Sequence, residues 1–413
     1  MTNINISLQE ADVHQACNGV KIYTLPSEEF DVLRVSFVFS AGTIQQKRPF
    51  SATSTANLLC EGSANMSSSE IAERLDYYGS FFDVNVDRDY VYINFCSLSK
   101  FVEPTLEVAS EIILRPTFPE RELETYRLKR KQRLAVERAK VETKAREEFA
   151  KSLFGADHPY GVSASEAEYD NLRREDLLEI YSRCYCAESC FVVCSGRVDK
   201  REMALIESIA SQLTSRGSLA AIELPVAKQR SYYLLEQAEA VQSSIRVGRY
   251  LFTRSHPDFL GMQVVATILG GYFGSRLMQS LREQRGYTYG VMAAMVNFAQ
   301  GGYLAVATQV GVEVTSEALE LIYEEIERLS EEMVPEEELD MVRKIMIGEM
   351  MRILDGPFGV ADVTIENILC GDKNSSIRQS IERIELFTPE DIQNLARKYL
   401  PKDDLVTVVV GKI

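Results

Sequence analysis

Phe118-Pro119-Glu120-Arg121-Glu122-Leu123 returns 216 positions later as Val334-Pro335-Glu336-Glu337-Glu338-Leu339, each copy joining one helical stretch to a longer one. Further on, Glu175-Asp176-Leu177 and Gly196-Arg197-Val198 are answered by Glu390-Asp391-Ile392 and Gly411-Lys412-Ile413, about 215 positions away. One spacing holds across whole halves of the chain. A solenoid repeat would have a period of about 20 to 50 residues, so this is a duplicated domain. The 413 residues suit two such halves. The predicted boundaries are 1–213 and 231–413, joined by a linker over 214–230 that carries Gly217 and Pro225.

Each half reads in the same order. A strand opens it, Val32–Phe39 or Ser244–Leu251, and a helix follows. In the first half Ser67 and Glu70 form a capping box, Ile71, Leu75 and Tyr78 make an apolar stripe, and Gly79 stands where a left-handed C-cap belongs. The counterpart is expected from Ser275 to Arg285, ending at Gly286. Strands return with Phe82, Val84 and Val86, then 90–95, and again over 291–295 and 303–307. Long helices are expected near 104–115, 120–154, 315–332 and 336–354. Strands and helices mixed without strict alternation predict an α+β fold of two homologous domains, each a mostly antiparallel sheet with helices packed on one face.

Composition narrows the function. Apolar residues make up 46% of the chain, yet no apolar run approaches the roughly 18 residues needed to cross a bilayer. The opening Met1-Thr2-Asn3-Ile4-Asn5-Ile6 has neither a basic stretch nor an apolar core of the secretory kind, so the cytoplasm is the expected location. A net charge of −16 argues against nucleic acid and leaves a solvated acidic surface, a basic peptide or a basic partner. Cys184, Cys186, Cys190 and Cys194 fall within eleven residues. Three of them align with Pro401, Leu405 and Val409 of the second half, and Cys190 and Cys194 share one strand face, so buried thiols are expected rather than a metal site.

Gly270-Gly271-Tyr272-Phe273-Gly274-Ser275-Arg276-Leu277, running into Leu281-Arg282-Glu283-Gln284-Arg285-Gly286-Tyr287-Thr288-Tyr289, resembles the C-terminal domain signature of the pitrilysin/insulinase family of zinc peptidases. The duplication, the half length and His158-Pro159-Tyr160-Gly161 agree with it. The resemblance implies two pitrilysin-like halves with ferredoxin-like layers, closing around an unfolded peptide. It also implies an inverted zinc motif, H-x-x-E-H, on the first helix of the active half, where histidines at i and i+4 share a face, zinc polarises a water and the glutamate acts as base.

At the motif's place stand Thr53-Ser54-Thr55-Ala56-Asn57. No histidine is present, and Ala56 replaces the base. A zinc there would have to use Asn57, Cys60 and Glu61, a set without imidazole. Glu137 lies nearest the place of the family's later glutamate, in a Lys- and Arg-rich helix that suits a surface ion pair. The other part of the site survives. The resemblance assigns Arg282 to a substrate carbonyl and Tyr289 to the developing oxyanion; the plainer alternative is an ion pair for Arg282 and core packing for Tyr289. Gly270, Gly271 and Gly274 would let backbone approach an extended peptide or would serve a tight turn. Phe82 and Val84 sit on the strand that the resemblance offers to substrate as a sheet edge.

The expectation is therefore a non-catalytic, mitochondrial-processing-peptidase-like subunit with no cofactor of its own. Its partner would be a homologous subunit carrying the zinc, its substrate a peptide, and a homodimer is the other assembly considered. The alternatives are a structural or peptide-holding protein without proteolysis, and an active enzyme with unfamiliar ligands.

Overall fold

The computed structural model describes residues 8–217, 222–229 and 231–412. Residues 1–7, Ile413, and positions 218–221 and 230 of the expected linker lie outside the described residues. The chain forms two compact units, and neither is one continuous half. The first takes residues up to Leu134, Ala164–Glu223 and Ile353–Ser375; the second takes Ala135–Ser163, Leu224–Arg352 and the residues from Ser376 onward.

The first unit is built on six strands: β1 (Asp12–Gln15), β2 (Lys21–Pro26), β3 (Val32–Phe39), β4 (Phe81–Val86), β5 (Val91–Leu98) and β6 (Cys190–Gly196). Their spatial order is β1-β2-β6-β3-β5-β4. The second unit has β7 (Tyr232–Glu236), β8 (Gln242–Leu251), β9 (Val291–Phe298), β10 (Gly301–Gly311) and β11 (Val406–Gly411), in the order β7-β11-β8-β10-β9. Apart from β1 the two orders are the same, and each sheet has one parallel pair, β2 with β6 and β7 with β11. The remaining pairs are antiparallel. The fold is α+β.

Period-two burial decides which face each strand residue serves. In β3, Leu33, Val35, Phe37 and Phe39 enter the first unit's main core with Cys190, Val192 and Cys194 of β6. The helices Ser51–Asn57, Ser68–Tyr77, Val102–Leu114 and Arg174–Cys184 supply its other wall. The Ser67–Glu70 capping box is present, and Gly79 turns the chain at φ +60. Cys184, Cys186, Cys190 and Cys194 are buried and free, and burial pushes the Cys184 thiol up to about 11 and that of Cys194 to about 12.

The opposite face of each sheet is covered by a helix from the other half of the sequence. Val38 and Val193, pointing away from the main core, pack with Leu25 against Ala361 and Ile365 of the helix Gly356–Cys370. In the second unit the helix Val141–Phe154 packs on β8 and β11. Phe154 and Tyr160 there meet Tyr250, Phe298 and Tyr303 at ring separations of 4.5–6.1 Å. The helices on one face thus come from the same half as the strands, and the single helix on the other face is exchanged.

The exchange corrects one expectation. The helix read over 120–154 is two helices, Glu120–Arg138 and Val141–Phe154, because Lys140 turns extended at ψ 135. No proline or glycine marks the break. Docking of the second segment on a different sheet overrides helix propensity there. The repeated stretch holds strain of its own: Phe118, fully buried, sits at φ +45. The Arg174 guanidinium secures it by donating to the carbonyls of Thr117 and Phe118 at 2.8–3.1 Å.

Candidate functional site

In the first unit the degenerate motif lies on the short helix Ser51–Asn57. Thr53 and Asn57 lie one turn apart, where the resemblance expects the two histidines, and Ala56 is fully buried. Asn57, which is exposed, has its Nδ2 donating back to the Thr53 carbonyl at 2.7 Å and to Tyr126 Oη at 3.3 Å. The substitute zinc ligands are engaged elsewhere. Burial and the nearby Glu61 push the Cys60 thiol up to about 11, holding it protonated at neutral pH, and Glu61 accepts from Ser68 Oγ at 2.7 Å. Metal binding needs deprotonated, available donors. These residues do not fit a zinc ion, and among the described residues no three His, Cys, Asp or Glu side chains come together as a metal site.

The three histidines serve elsewhere. His158 Nδ1 accepts from the Tyr160 amide at 3.0 Å inside the aromatic cluster. His256 Nδ1 accepts from the Asp258 amide at 3.1 Å and stacks on Phe252 at 3.9 Å. His14 is on β1. Glu137 is half-buried near the end of the helix Glu120–Arg138.

The second unit carries the glycine-rich stretch, Arg282 and Tyr289. The helix Phe259–Ala266 runs into a π-turn over Thr267–Gly271, and the helix expected from Ser275 is a π-helix over Met278–Gln284. Such segments are rare and concentrate at functional sites. Gly270 is required by packing, since a Cβ there would fall 2.6 Å from the Ala293 backbone nitrogen of β9. Gly271 faces Thr267 and Gly274 faces the Tyr272 ring, with Cβ approaches of 3.1 and 3.0 Å.

Phe273, 63% exposed, lies under the Arg282 guanidinium at 4.7 Å, so the glycine-rich loop and the arginine meet. The acidic neighbour of Arg282 is Glu283, at 3.7 Å. Arg276 pairs with Glu338 of the repeated P-E-x-E-L through two nitrogens at 2.9 Å each, tying the turn before the π-helix to the helix Glu336–Ile353.

Tyr289 is 94% exposed, so it does not pack in the core. Its loop is nevertheless pinned. Tyr287 packs against the second unit's core, Thr308 Oγ1 donates to Thr288 Oγ1 at 3.0 Å, and the Val291 amide donates to Met278 Sδ at 3.5 Å. The result is a phenol held out in solvent by an ordered base. In the first unit, β4 is an edge strand, and Phe82 and Val84 turn inward, Phe82 meeting Phe95 at 5.2 Å. The edge therefore offers main-chain groups, with Phe81 exposed on the other face. The inward direction of Phe82 and Val84 was legible in their period-two spacing; the bond from Asn57 to Tyr126 and the π-turns had no signal in the sequence.

Residues 171–346 match the Peptidase M16 inactive domain. The chain is 20% identical over 359 residues to an uncharacterized zinc protease, YmxG, of Bacillus subtilis, covering 86% of each. It is 22% identical to a non-peptidase homolog, YmxG, of Helicobacter pylori, covering 81% of this chain and 79% of that protein. Among solved structures, a peptidase M16 inactive domain from Pseudomonas fluorescens superposes with a TM-score of 0.87 at 23% identity, over 98% of both chains. A chain of complex III from Candida albicans superposes at 0.77 and 16% identity, over 97% of this chain and 95% of that one. In sequence over 171–346 the chain is thus similar to the Peptidase M16 inactive domain, and its fold is that of the M16 inactive domain solved from Pseudomonas fluorescens.

Proposed function

We propose that this chain is the non-catalytic subunit of a two-chain zinc endopeptidase, holding an unfolded peptide and completing the active site of a homologous, zinc-bearing partner with Arg282 and Tyr289. The observation that carries the reading is Tyr289: an aromatic side chain 94% exposed on a pinned loop contributes nothing to its own core. An exposed tyrosine fixed at its base is pre-organised to donate its hydroxyl to charge developing on a substrate oxygen. Arg282, oriented by Phe273, is suited to a backbone carbonyl of the peptide. The open edge of β4 can add a strand by main-chain hydrogen bonding. On this reading zinc belongs to the partner. The compartment is the cytoplasm, which suits the buried free thiols; among the described residues no helix is long and apolar enough to cross a membrane.

A second reading is a structural subunit without proteolysis, favoured by the likeness to a chain of complex III. Mixing the chain with a homologue that retains H-x-x-E-H separates the two. Peptidase activity absent from either protein alone is expected, and Arg282→Ala and Tyr289→Phe should each lower its turnover roughly a hundred- to a thousandfold with melting temperatures nearly unchanged. A partner fully active alone and indifferent to this chain would leave the structural reading.

A further inference from the structure

Arg246 stands on β8, on the sheet face covered by the helix Val141–Phe154. Its Nε is buried without a hydrogen-bond partner, and among the described residues no carboxylate oxygen comes within 4 Å of its guanidinium. The surroundings make this worse for the cation. Burial disfavours its charge and so does the nearby Arg146 of the covering helix; Tyr303 and Glu142 only partly compensate. Glu142 is drawn aside, accepting from Gln309 Nε2 at 3.1 Å. A half-buried guanidinium whose Nε meets no acceptor carries an unrecovered desolvation cost.

The place of the residue suggests that use. Arg246 pairs in register with Ala307 of β10, and Ala307 with Met292 of β9, whose side chain is 60% exposed. This row crosses the sheet from the guanidinium to an open edge strand within about 10 Å, on a floor made shallow by alanine. Met292 follows Tyr289 by three residues. Arg246 itself keeps partial exposure.

We infer that Arg246, with Arg146 beside it, is an oxyanion-binding site on this face of the second unit, and that it takes a carboxylate of an extended peptide lying along the row toward Met292. The part of this that names a peptide rests on the reading proposed above. A carboxylate matches the fork of a guanidinium and supplies the missing counter-charge.

The site is tested first with acetate alone, on the full chain, against sodium chloride at equal ionic strength. Acetate at 100 mM should raise the melting temperature by about 2 °C or more, and Arg246→Gln should remove the rise. Arg246→Met should melt above the wild type without acetate, because it removes a half-buried guanidinium whose Nε meets no acceptor, and should also be insensitive to acetate. No acetate response in the wild type, or one that survives in Arg246→Met, overturns the site.

Three labelled peptides of one sequence then identify the source of the carboxylate: one with an internal glutamate and an amidated C-terminus, one with glutamine and a free C-terminus, and one neutral at both. At least one carboxylate peptide should bind the wild type roughly tenfold tighter than the neutral one, a preference absent from Arg246→Gln. If all three bind the wild type equally, the carboxylate role is overturned although peptide binding stands. If acetate acts through Arg246 and no peptide binds, the anion site stands and the peptide-binding reading falls.

Discussion

Two arginines eight and two residues past the glycine-rich stretch, Arg282 and Arg276, have opposite circumstances. Arg276 is 11% exposed at its side chain and bound to Glu338, itself 21% exposed; Arg282 is 35% exposed, lies over Phe273 and has an acidic neighbour 3.7 Å away. Removing one partner of a largely buried pair leaves a charge uncompensated. Arg276→Ala should therefore cost about 3 kcal/mol of stability, and Arg276→Met with Glu338→Leu should recover most of it. Arg282→Ala should cost about 0 to 1 kcal/mol. Denaturant unfolding of the three proteins checks this, and equal losses in the two single variants would show that the pair behaves as a surface contact. The roles were readable only in part beforehand. Both arginines stood in the same motif, but sequence does not say which of two cations finds a buried carboxylate 62 positions away.

At the scale of the element, the helix Gly356–Cys370 belongs by sequence to the second half and by packing to the first unit. Ile365, 4% exposed, lies against Val38 and Val193. Ser195 Oγ donates to the Pro357 carbonyl at 2.6 Å, and Arg34 pairs with Asp362. Ile365→Ala should cost about 2 to 5 kcal/mol, and the loss should appear in the first unit. Hydrogen exchange gives the readout: faster exchange in β3 and β6, with β8 and β10 unchanged, is the expected pattern. Faster exchange confined to the second sheet would contradict the exchanged packing. Caps and turns of this kind were legible where they are local, as at Ser67, Glu70 and Gly79. The break at Lys140 was not, since nothing within a few residues of it disfavours a helix.

For the whole molecule, the exchange means that each sequence half lacks the helix covering the second face of its own sheet. A fragment of residues 1–213 should leave Tyr23, Val38, Phe191 and Val193 bare, and one of 231–413 should lack the ring cluster of Phe154 and Tyr160. Apolar faces of that size promote aggregation. Each fragment expressed alone should be insoluble or unfolded by circular dichroism, while a chain cut within 214–230 should keep both parts associated. Two independently folded, monomeric fragments would refute the exchange.

The sequence by itself determined the duplication, the matching order of strands and helices along its two halves, the alternation of Phe82, Val84 and Val86, and the absence of histidine from Thr53 to Asn57. These follow from residue identity and short-range periodicity, which a chain carries without being folded. Only the tertiary structure decided that the helices Val141–Phe154 and Gly356–Cys370 change places, that Tyr126 bonds Asn57, that Tyr289 stands in solvent, and that Arg246 Nε is buried without a hydrogen-bond partner. Each of those depends on which surfaces meet across long stretches of chain. That choice is made by burial of whole faces, and no local pattern of residues records it.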